Sequence, residues 1–322
     1  MPTALDLASG VRAGQRRALA RALTAVENGL PGAAALVDAL YPDTGSAWRI
    51  GITGPPGAGK STLTDWLVGA FRARGQRVAV VAVDPSSPFT GGALLGDRVR
   101  LDDRVDDDGV FVRSLAARGA LGGLAEAAEA ACDVFDAAEY DVVLLETVGV
   151  GQGEIDVAEA ADSTLVVLVP ESGDAVQAMK AGLMEVADVF CVNKSDHPEA
   201  GAMVRALRQM MHLRLGAAPA ASGGGGAAGE IPTVVKTSAL NGENIDGLVA
   251  ALDAHRQRLA ADWEASREAR LRRRVRRLVE RRWRQTFWTP ERRQRLAAAV
   301  HTLDAAERAP HALADRVLRD EG

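Results

Sequence analysis

The sequence predicts an α/β fold in which a mainly parallel β-sheet lies between layers of helices. Short apolar runs alternate with helix-like stretches along most of the chain, and this alternation is typical of strand-helix-strand units. With 322 residues, 47% of them hydrophobic, the chain is long enough to bury a large core. The predicted strands end near Thr53, Asp84, Arg113, Thr147, Pro170, Lys194 and Ser238. Ligand-binding loops are expected at the edge formed by the carboxyl ends of these strands.

Helical segments are expected on both sides of this core. Residues 10–29 and 32–41 are predicted to form two amphipathic helices within an N-terminal helical segment, 1–44. The core is predicted to span 45–254, and a C-terminal helical extension to span 255–322. Within the core, residues 216–229 read GAAPAASGGGGAAG. We expect a flexible insert there, because small side chains gain too little from burial to offset the entropy of ordering.

A glycine-rich motif follows the first predicted strand. Residues 54–61 read GPPGAGKS and match GxxxxGK[ST] between a strand and a helix, the context of a phosphate-binding loop. The helix N-terminus adds positive potential, Lys60 would reach the β and γ phosphates, and Ser61 would ligate Mg²⁺. The sequence thus predicts a P-loop nucleoside triphosphatase. The residues expected to contact the phosphates are Gly54, Pro55, Pro56, Gly57, Ala58, Gly59, Lys60, Ser61 and Thr62.

Two later loops indicate which base is bound. An apolar strand runs into Asn193-Lys194-Ser195-Asp196, which matches NKxD. A carboxylate at the last position accepts hydrogen bonds from guanine N1–H and the exocyclic amine, a donor pair that adenine lacks. The stretch 237–240, TSAL, is similar to the loop whose backbone N–H contacts the guanine oxygen. The residues predicted to bind the base are Asn193, Lys194, Asp196, Ser238, Ala239 and Leu240.

Candidate metal ligands come from two further strand ends. Glu146 ends the apolar run 140–145 and is placed to hold Mg²⁺ directly or through water, and Gly149 could offer its N–H to the γ-phosphate. The alternative for Glu146 is a solvated strand-end carboxylate. Gln152 lies three residues after the glycine, so no catalytic role is assigned to it.

Two aspartates flank a Ser/Pro/Gly-rich stretch. Asp84 ends a strand, residues 85–96 form the stretch, and Asp97 follows it. Such a segment suits a loop that closes on Mg²⁺ and phosphate. Both aspartates are therefore candidate metal ligands. For Asp97 a helix N-cap or an ion pair with Arg98 or Arg100 is the alternative.

Four stretches together resemble the MeaB/ArgK family of GTPases: VDPSSPFTGGALLGDRVR, FVRSLAARGALGGL, ETVGVGQGE and NKSD. The family belongs to the signal-recognition-particle/MinD/BioD class of P-loop proteins, and the resemblance extends from about Val11 to Trp288. It implies that Ser61, Asp84, Asp97 and Glu146 hold Mg²⁺. It also implies that Asn193 and Asp196 bind guanine. The residues expected to carry catalysis are Lys60, Asp97 and Glu146.

The resemblance also implies a biological role. Members of this family are chaperones of adenosylcobalamin-dependent acyl-CoA mutases, chiefly methylmalonyl-CoA mutase, and couple GTP hydrolysis to cofactor loading and protection. We therefore expect a Mg²⁺-dependent GTPase that is slow without its partner and forms a homodimer through its C-terminal helices. A metallochaperone GTPase of the nickel-insertion type is the alternative. That type would be expected to carry a His-rich tract or paired cysteines. A third possibility, a small-molecule kinase, would need an acceptor pocket.

The C-terminal extension is strongly basic although the whole chain has a net charge of −5. Thirteen arginines and three glutamates lie between Arg267 and Arg295, interleaved with Leu, Val and Trp at helical spacing. This pattern favours a solvated or protein-facing helix over a nucleic-acid-binding arm. We expect no membrane association, because no apolar run approaches the roughly 20 residues of a membrane span. No signal peptide or CxxC motif is present, so a cytoplasmic protein without disulfides is expected.

Overall fold

The computed structural model describes residues 3–85, 104, 106–117, 123–147, 153–170, 182–217, 231–302 and 309–319. The chain divides into two compact units, Met1–Ser266 and Arg267–Gly322. The predicted segment boundaries after residues 44 and 254 remain predictions. The predicted insert, 216–229, lies outside the described part of the chain except for its first two residues, which end a helix.

The first unit is built on one seven-stranded sheet, and every strand pair in it is parallel. The strands are β1 (Trp48–Thr53), β2 (Val78–Pro85), β3 (Val110–Ala117), β4 (Val142–Thr147), β5 (Ser163–Leu168), β6 (Val189–Val192) and β7 (Thr233–Lys236). Their order across the sheet is β3-β2-β4-β1-β5-β6-β7. The predicted α/β class with a mainly parallel sheet is confirmed. β3 continues past the predicted end at Arg113, because it pairs with β2 along its whole length.

Helices cover both faces of this sheet. In chain order, the helices of the first unit are α1 (Ala4–Arg12), α2 (Arg16–Glu27), α3 (Ala33–Leu40), α4 (Lys60–Ala73), α5 (Gly123–Ala137), α6 (Gly153–Ala160), α7 (Leu183–Val186), α8 (Ala200–Ala217) and α9 (Ile245–Leu259). The helices that follow in the chain are α10 (Trp263–Phe287), α11 (Pro290–Thr302) and α12 (Pro310–Arg319). A 3₁₀ turn spans Tyr41–Asp43. One core cluster joins the sheet to α4 and α9, and another joins it to α5, α6 and the N-terminal helices.

The N-terminal segment contains three helices where the sequence predicted two. The predicted helix 10–29 is interrupted between α1 and α2, where Gly14 adopts the left-handed conformation with φ of 66°. The chain also becomes helical earlier than predicted, at Ala4. Thr3 caps α1 in a reciprocal capping box with Asp6, and such a box satisfies the free N–H groups of a first helical turn.

A buried ionic cluster fixes the entry to β1. The Arg49 guanidinium lies 2.8 Å from Asp133 and 3.5 Å from Asp136 of α5, and all three side chains are at least 95% buried. Asp136 also accepts hydrogen bonds from the backbone N–H groups of Gly45, Ser46 and Ala47. Burial disfavours the charged guanidinium, but the surrounding acidic groups outweigh it and raise the pKa of Arg49. The carboxylates of α5 therefore hold β1 in place beside the phosphate-binding loop.

The second unit consists of most of α10 followed by α11 and α12. No residue of α10 is buried within the chain. Four of its apolar residues recur every fourth position and are between 39% and 59% exposed; they are Leu271, Val275, Val279 and Trp283. Among the described residues, no helix is long and apolar enough to cross a membrane.

Candidate functional site

The predicted phosphate-binding loop lies between the carboxyl end of β1 and the start of α4. Two of its glycines are required by the packing around them. Gly54 has φ of 137°, and an added Cβ would overlap the carbonyl oxygen of Val167 in the neighbouring strand β5. Gly59 has φ of 87°, and a Cβ there would overlap the side-chain amide of Asn193. The loop is thus pressed against the strand ends, and residues with side chains would push it away.

Lys60 is the first residue of α4 and is 95% buried. Its ammonium group donates hydrogen bonds to the carbonyl oxygens of Gly54 at 2.7 Å and Pro55 at 2.9 Å. The Thr64 hydroxyl donates to the Lys60 carbonyl oxygen at 2.9 Å, one turn along the helix. A cation and the N-terminus of a 14-residue helix therefore meet inside one loop, an arrangement that attracts anions.

Ser61 and Glu146 lie in direct contact. The Ser61 hydroxyl donates a hydrogen bond to the Glu146 carboxylate, which is only 3% exposed. Glu146 lies near the end of β4, paired with Ile52 of β1 on one side and Ala82 of β2 on the other. The alternative of a solvated strand-end carboxylate is therefore wrong, because the neighbouring strands and α4 enclose this group.

The contact between Ser61 and Glu146 provides two oxygen donors of the kind that Mg²⁺ prefers. Mg²⁺ commonly takes only one or two protein oxygens and fills its other positions with water and phosphate. Within the described residues, no group of three or more His, Cys, Asp or Glu side chains could hold a metal ion. The observed pair is thus compatible with a nucleotide-bound Mg²⁺.

Asn193 ties three loops together. Its side-chain N–H donates to the carbonyl oxygen of Ala58 in the phosphate-binding loop at 2.8 Å. Its side-chain oxygen accepts from the backbone N–H of Ala239 at 2.9 Å and from the Thr237 hydroxyl at 3.2 Å. The structure therefore brings the two base-recognition motifs and the phosphate-binding loop to one place. Thr237 was not among the predicted base-binding residues, although it lies directly before Ser238, Ala239 and Leu240, called the SAL loop below.

Asp196 is exposed and oriented by a neighbour. Its carboxylate accepts a hydrogen bond from the buried Ser238 hydroxyl at 2.9 Å. That hydrogen bond, followed by the backbone N–H of Asp196 itself, lowers the pKa of the carboxyl group. Lys194, two residues earlier, adopts a left-handed backbone with φ of 57°, which turns the chain sharply after β6. An ionised acceptor is thus presented to solvent beside the SAL loop.

Several predicted site residues fall outside the described part of the chain. Asp97, Gly149 and Gln152 lie there entirely, and for Asp84 only the backbone at the end of β2 is described. Because β2 pairs with β4 up to Val83 and Thr147, the Asp84 backbone lies at the same edge of the sheet as Glu146. The roles predicted for Asp84, Asp97 and Gly149 stay predictions, and none was predicted for Gln152.

Trp66 in α4 is a further residue that no sequence motif singles out. Its indole N–H donates a hydrogen bond to the carbonyl oxygen of Ala239 at 2.8 Å. The two residues are 173 positions apart in the sequence, so no local pattern could reveal this contact. Trp66 links the helix that begins at the phosphate-binding loop to the SAL loop.

A parallel sheet with a GxxxxGKS loop, a buried acidic strand end and an NKxD loop at one edge defines a P-loop GTPase. A family model described as Methylmalonyl Co-A mutase-associated GTPase MeaB matches residues 19–292. The chain belongs to this family, which confirms the resemblance found in the sequence.

Relatives of known sequence or structure agree with this assignment. A Pyrococcus abyssi relative that is named as a GTPase is 45% identical over 275 residues, or 85% of this chain and 81% of that protein. The mouse protein named Methylmalonic aciduria type A homolog, mitochondrial, is 37% identical over 204 residues, covering 59% of this chain and 49% of that protein. The crystal structure of an LAO/AO transport system kinase superposes with a TM-score of 0.72 and 28% identity, over 98% of this chain and 97% of that one.

Proposed function

We propose that this GTPase is a chaperone for an adenosylcobalamin-dependent acyl-CoA mutase, with methylmalonyl-CoA mutase as its client. The observation that carries the proposal is the family match over residues 19–292, whose description names a GTPase associated with that mutase. The mouse relative, named for methylmalonic aciduria, supports the same client. GTP binding and hydrolysis would then serve assembly, cofactor loading and protection of the mutase.

Guanine recognition would be carried out by the two loops that Asn193 joins. The Asp196 carboxylate, whose pKa is lowered by the Ser238 hydroxyl, would accept hydrogen bonds from guanine N1–H and the exocyclic amine. The Lys194 stem would cover the ring face, and the SAL loop of Ser238, Ala239 and Leu240 would supply a backbone N–H to the C6 oxygen. The Asp196 carboxylate and the loop N–H are thus groups for which adenine has no match, whereas the Lys194 stem would pack on either purine.

Phosphate binding and hydrolysis would fall to the opposite side of the same site. Lys60 would turn its ammonium group from the loop carbonyls to the β and γ phosphate oxygens. Ser61 and Glu146 would hold Mg²⁺, with Asp84 and Asp97 completing the set. Bound there, Mg²⁺ neutralises charge on the phosphate oxygens. Glu146 and Asp97 would also orient the attacking water, and the Gly149 N–H would contact the γ-phosphate.

The exposed apolar row of α10 supports a homodimer. Leu271, Val275, Val279 and Trp283 are spaced four residues apart and therefore lie along one side of the helix. A second copy of the same helix would cover them. The surrounding arginines would keep this face soluble in the monomer and offer contacts to acidic groups of a partner.

Complex formation with the client tests the proposal. The protein should co-elute with an adenosylcobalamin-dependent acyl-CoA mutase in size-exclusion chromatography, and the retained fraction should change between GDP and a non-hydrolysable GTP analogue. The Lys60→Ala variant should show the same retained fraction with GDP and with the GTP analogue. The control Lys236→Ala, which changes an exposed lysine on β7, should keep the difference between the two nucleotides. Failure to co-elute with every such mutase of the source organism, in either nucleotide, would refute the chaperone role.

A further inference from the structure

Trp66 combines partial exposure with a specific polar contact. Its side chain is 41% exposed, yet its indole N–H donates to the Ala239 carbonyl oxygen at 2.8 Å. An exposed tryptophan on a helix needs no such partner, because water could satisfy its single donor. The contact instead immobilises one peptide group of the loop proposed to read the base.

The immobilised peptide group is the one that joins Ala239 to Leu240. A peptide unit is planar and trans, so its C=O and N–H point in opposite directions. With the carbonyl held by Trp66, the Leu240 N–H must point away from α4. Within the described residues this N–H meets no acceptor, whereas the Ala239 N–H is taken by Asn193 and the Ser238 N–H by the carbonyl of Glu243. Leu240 itself is 87% exposed, so its N–H lies on an accessible part of the loop.

The rest of the loop is closed around this contact. Ser238 and Glu243 exchange two backbone hydrogen bonds of 3.2 and 3.0 Å. Between them, Gly242 has φ of 69° and lies against the indole ring, where an added Cβ would come within 2.7 Å of a ring carbon. The turn is therefore supported by the ring through packing and by the indole N–H through the hydrogen bond.

We propose that Trp66 is a positioning residue for guanine recognition, orienting the Leu240 N–H toward the C6 oxygen of the base. The proposal rests on the guanine specificity given under the proposed function. Guanine and hypoxanthine both carry an oxygen at C6 that accepts from an N–H, whereas adenine carries an amine there. A hydrogen bond to the carbonyl of the same peptide also polarises the N–H and strengthens it as a donor. Because Trp66 belongs to α4, which begins at Lys60 and Ser61, one helix would support both the phosphate site and the base site.

Nucleotide titration separates this role from a general contribution to folding. GDP, inosine diphosphate and ADP are titrated into the wild type, Trp66→Phe and the control Trp288→Phe, a tryptophan of the other unit. Trp66→Phe keeps an aromatic ring against Gly242 but removes the donor. Loss of one hydrogen bond should weaken GDP and inosine diphosphate binding by about 3- to 10-fold and leave ADP binding unchanged. The control should match the wild type.

A second variant tests the same contact without changing the tryptophan. Gly242→Ala should displace the loop from the ring and weaken GDP and inosine diphosphate selectively, with a melting temperature that shows a folded protein. Unchanged GDP affinity in both variants, or an equal loss for GDP and ADP, would overturn the role of Trp66. Equal affinity of the wild type for GDP and ADP would instead refute the guanine assignment itself, and the role of Trp66 with it.

Discussion

The side-chain amide of Asn193 donates to the carbonyl oxygen of Ala58 across 2.8 Å, joining the loop after β6 to the phosphate-binding loop after β1. The same side chain accepts from Ala239 and Thr237, so one residue holds three loops that are distant in sequence. A movement of the loop that contains Asn193 would therefore displace the phosphate-binding loop, which directly precedes Lys60.

Asn193→Ala should weaken both nucleotide binding and the fold. The substitution leaves the Ala58 carbonyl, the Ala239 N–H and the Thr237 hydroxyl without this partner in a buried site. Unsatisfied buried groups cost about 1–3 kcal/mol, so a loss of that order is expected in the free energy of unfolding. Urea denaturation measures it, and calorimetry should show weaker GDP binding. A variant with a wild-type free energy of unfolding and wild-type GDP affinity would contradict the proposed role of Asn193 in linking the loops.

Lys60→Ala and Glu146→Ala should separate affinity from hydrolysis. Lys60 supplies the cation expected at the β and γ oxygens, so its removal should lower both GDP affinity and turnover. Glu146→Ala should retain more of the GDP affinity and lose most Mg²⁺-dependent hydrolysis. Phosphate release and GDP titration measure the two quantities, with Lys236→Ala as the control. Normal Mg²⁺-dependent turnover in Glu146→Ala would show that this buried carboxylate does not serve the metal.

Ser238→Ala should raise the pKa of Asp196 toward its ordinary value of about 3.8, because the hydroxyl is the main cause of the lowered pKa. A carboxyl group with a lowered pKa stabilises the folded state above its unfolded pKa and loses that contribution as pH falls through its folded pKa. The contribution is therefore present at neutral pH, and its dependence on pH appears only below about pH 4. An NMR titration of carboxyl carbons measures the shift. Asp6, whose pKa is lowered by Thr3, is an internal control that should not change.

Arg49→Ala should be strongly destabilising. It leaves the Asp133 and Asp136 carboxylates buried without their positively charged partner. Removing one partner of a buried ion pair typically costs about 3–5 kcal/mol. Arg74→Ala is the matched control, since its ion pair with Asp253 is of similar length, 2.8 Å, but partly exposed. That variant should lose about 1 kcal/mol or less. Similar urea midpoints for the two variants would argue against a structural role for the buried cluster.

Much of the fold could be predicted from the sequence because its signals are local. Most of the seven strands are short, largely apolar runs, as expected for a parallel sheet covered on both faces. The phosphate-binding and NKxD motifs could be placed because each follows such a run directly. The break between α1 and α2 escaped prediction, since the apolar pattern continues past Gly14 and only the backbone conformation changes there.

The parts of the site that could not be predicted depend on contacts between distant residues. The burial of Glu146 depends on the neighbouring strands β1 and β2 and on Ser61 of α4, which are distant in sequence, so the residues around it carry no sign of that burial. Trp66 occupies one more apolar position of a helix, and six strands separate it in sequence from its partner Ala239. Sequence motifs therefore identify the groups that touch the nucleotide more readily than those that hold them in place.

The GTP hydrolysis rate, measured as purified adenosylcobalamin-dependent acyl-CoA mutase is added, tests the central claim most directly. A client that binds the GTP-bound and GDP-bound forms with different affinities must alter nucleotide affinity in turn, since binding linkage is reciprocal. We expect a saturable increase of at least several-fold in the wild type and none in Glu146→Ala. A rate that stays constant through saturating concentrations of every such mutase from the source organism would contradict the chaperone assignment.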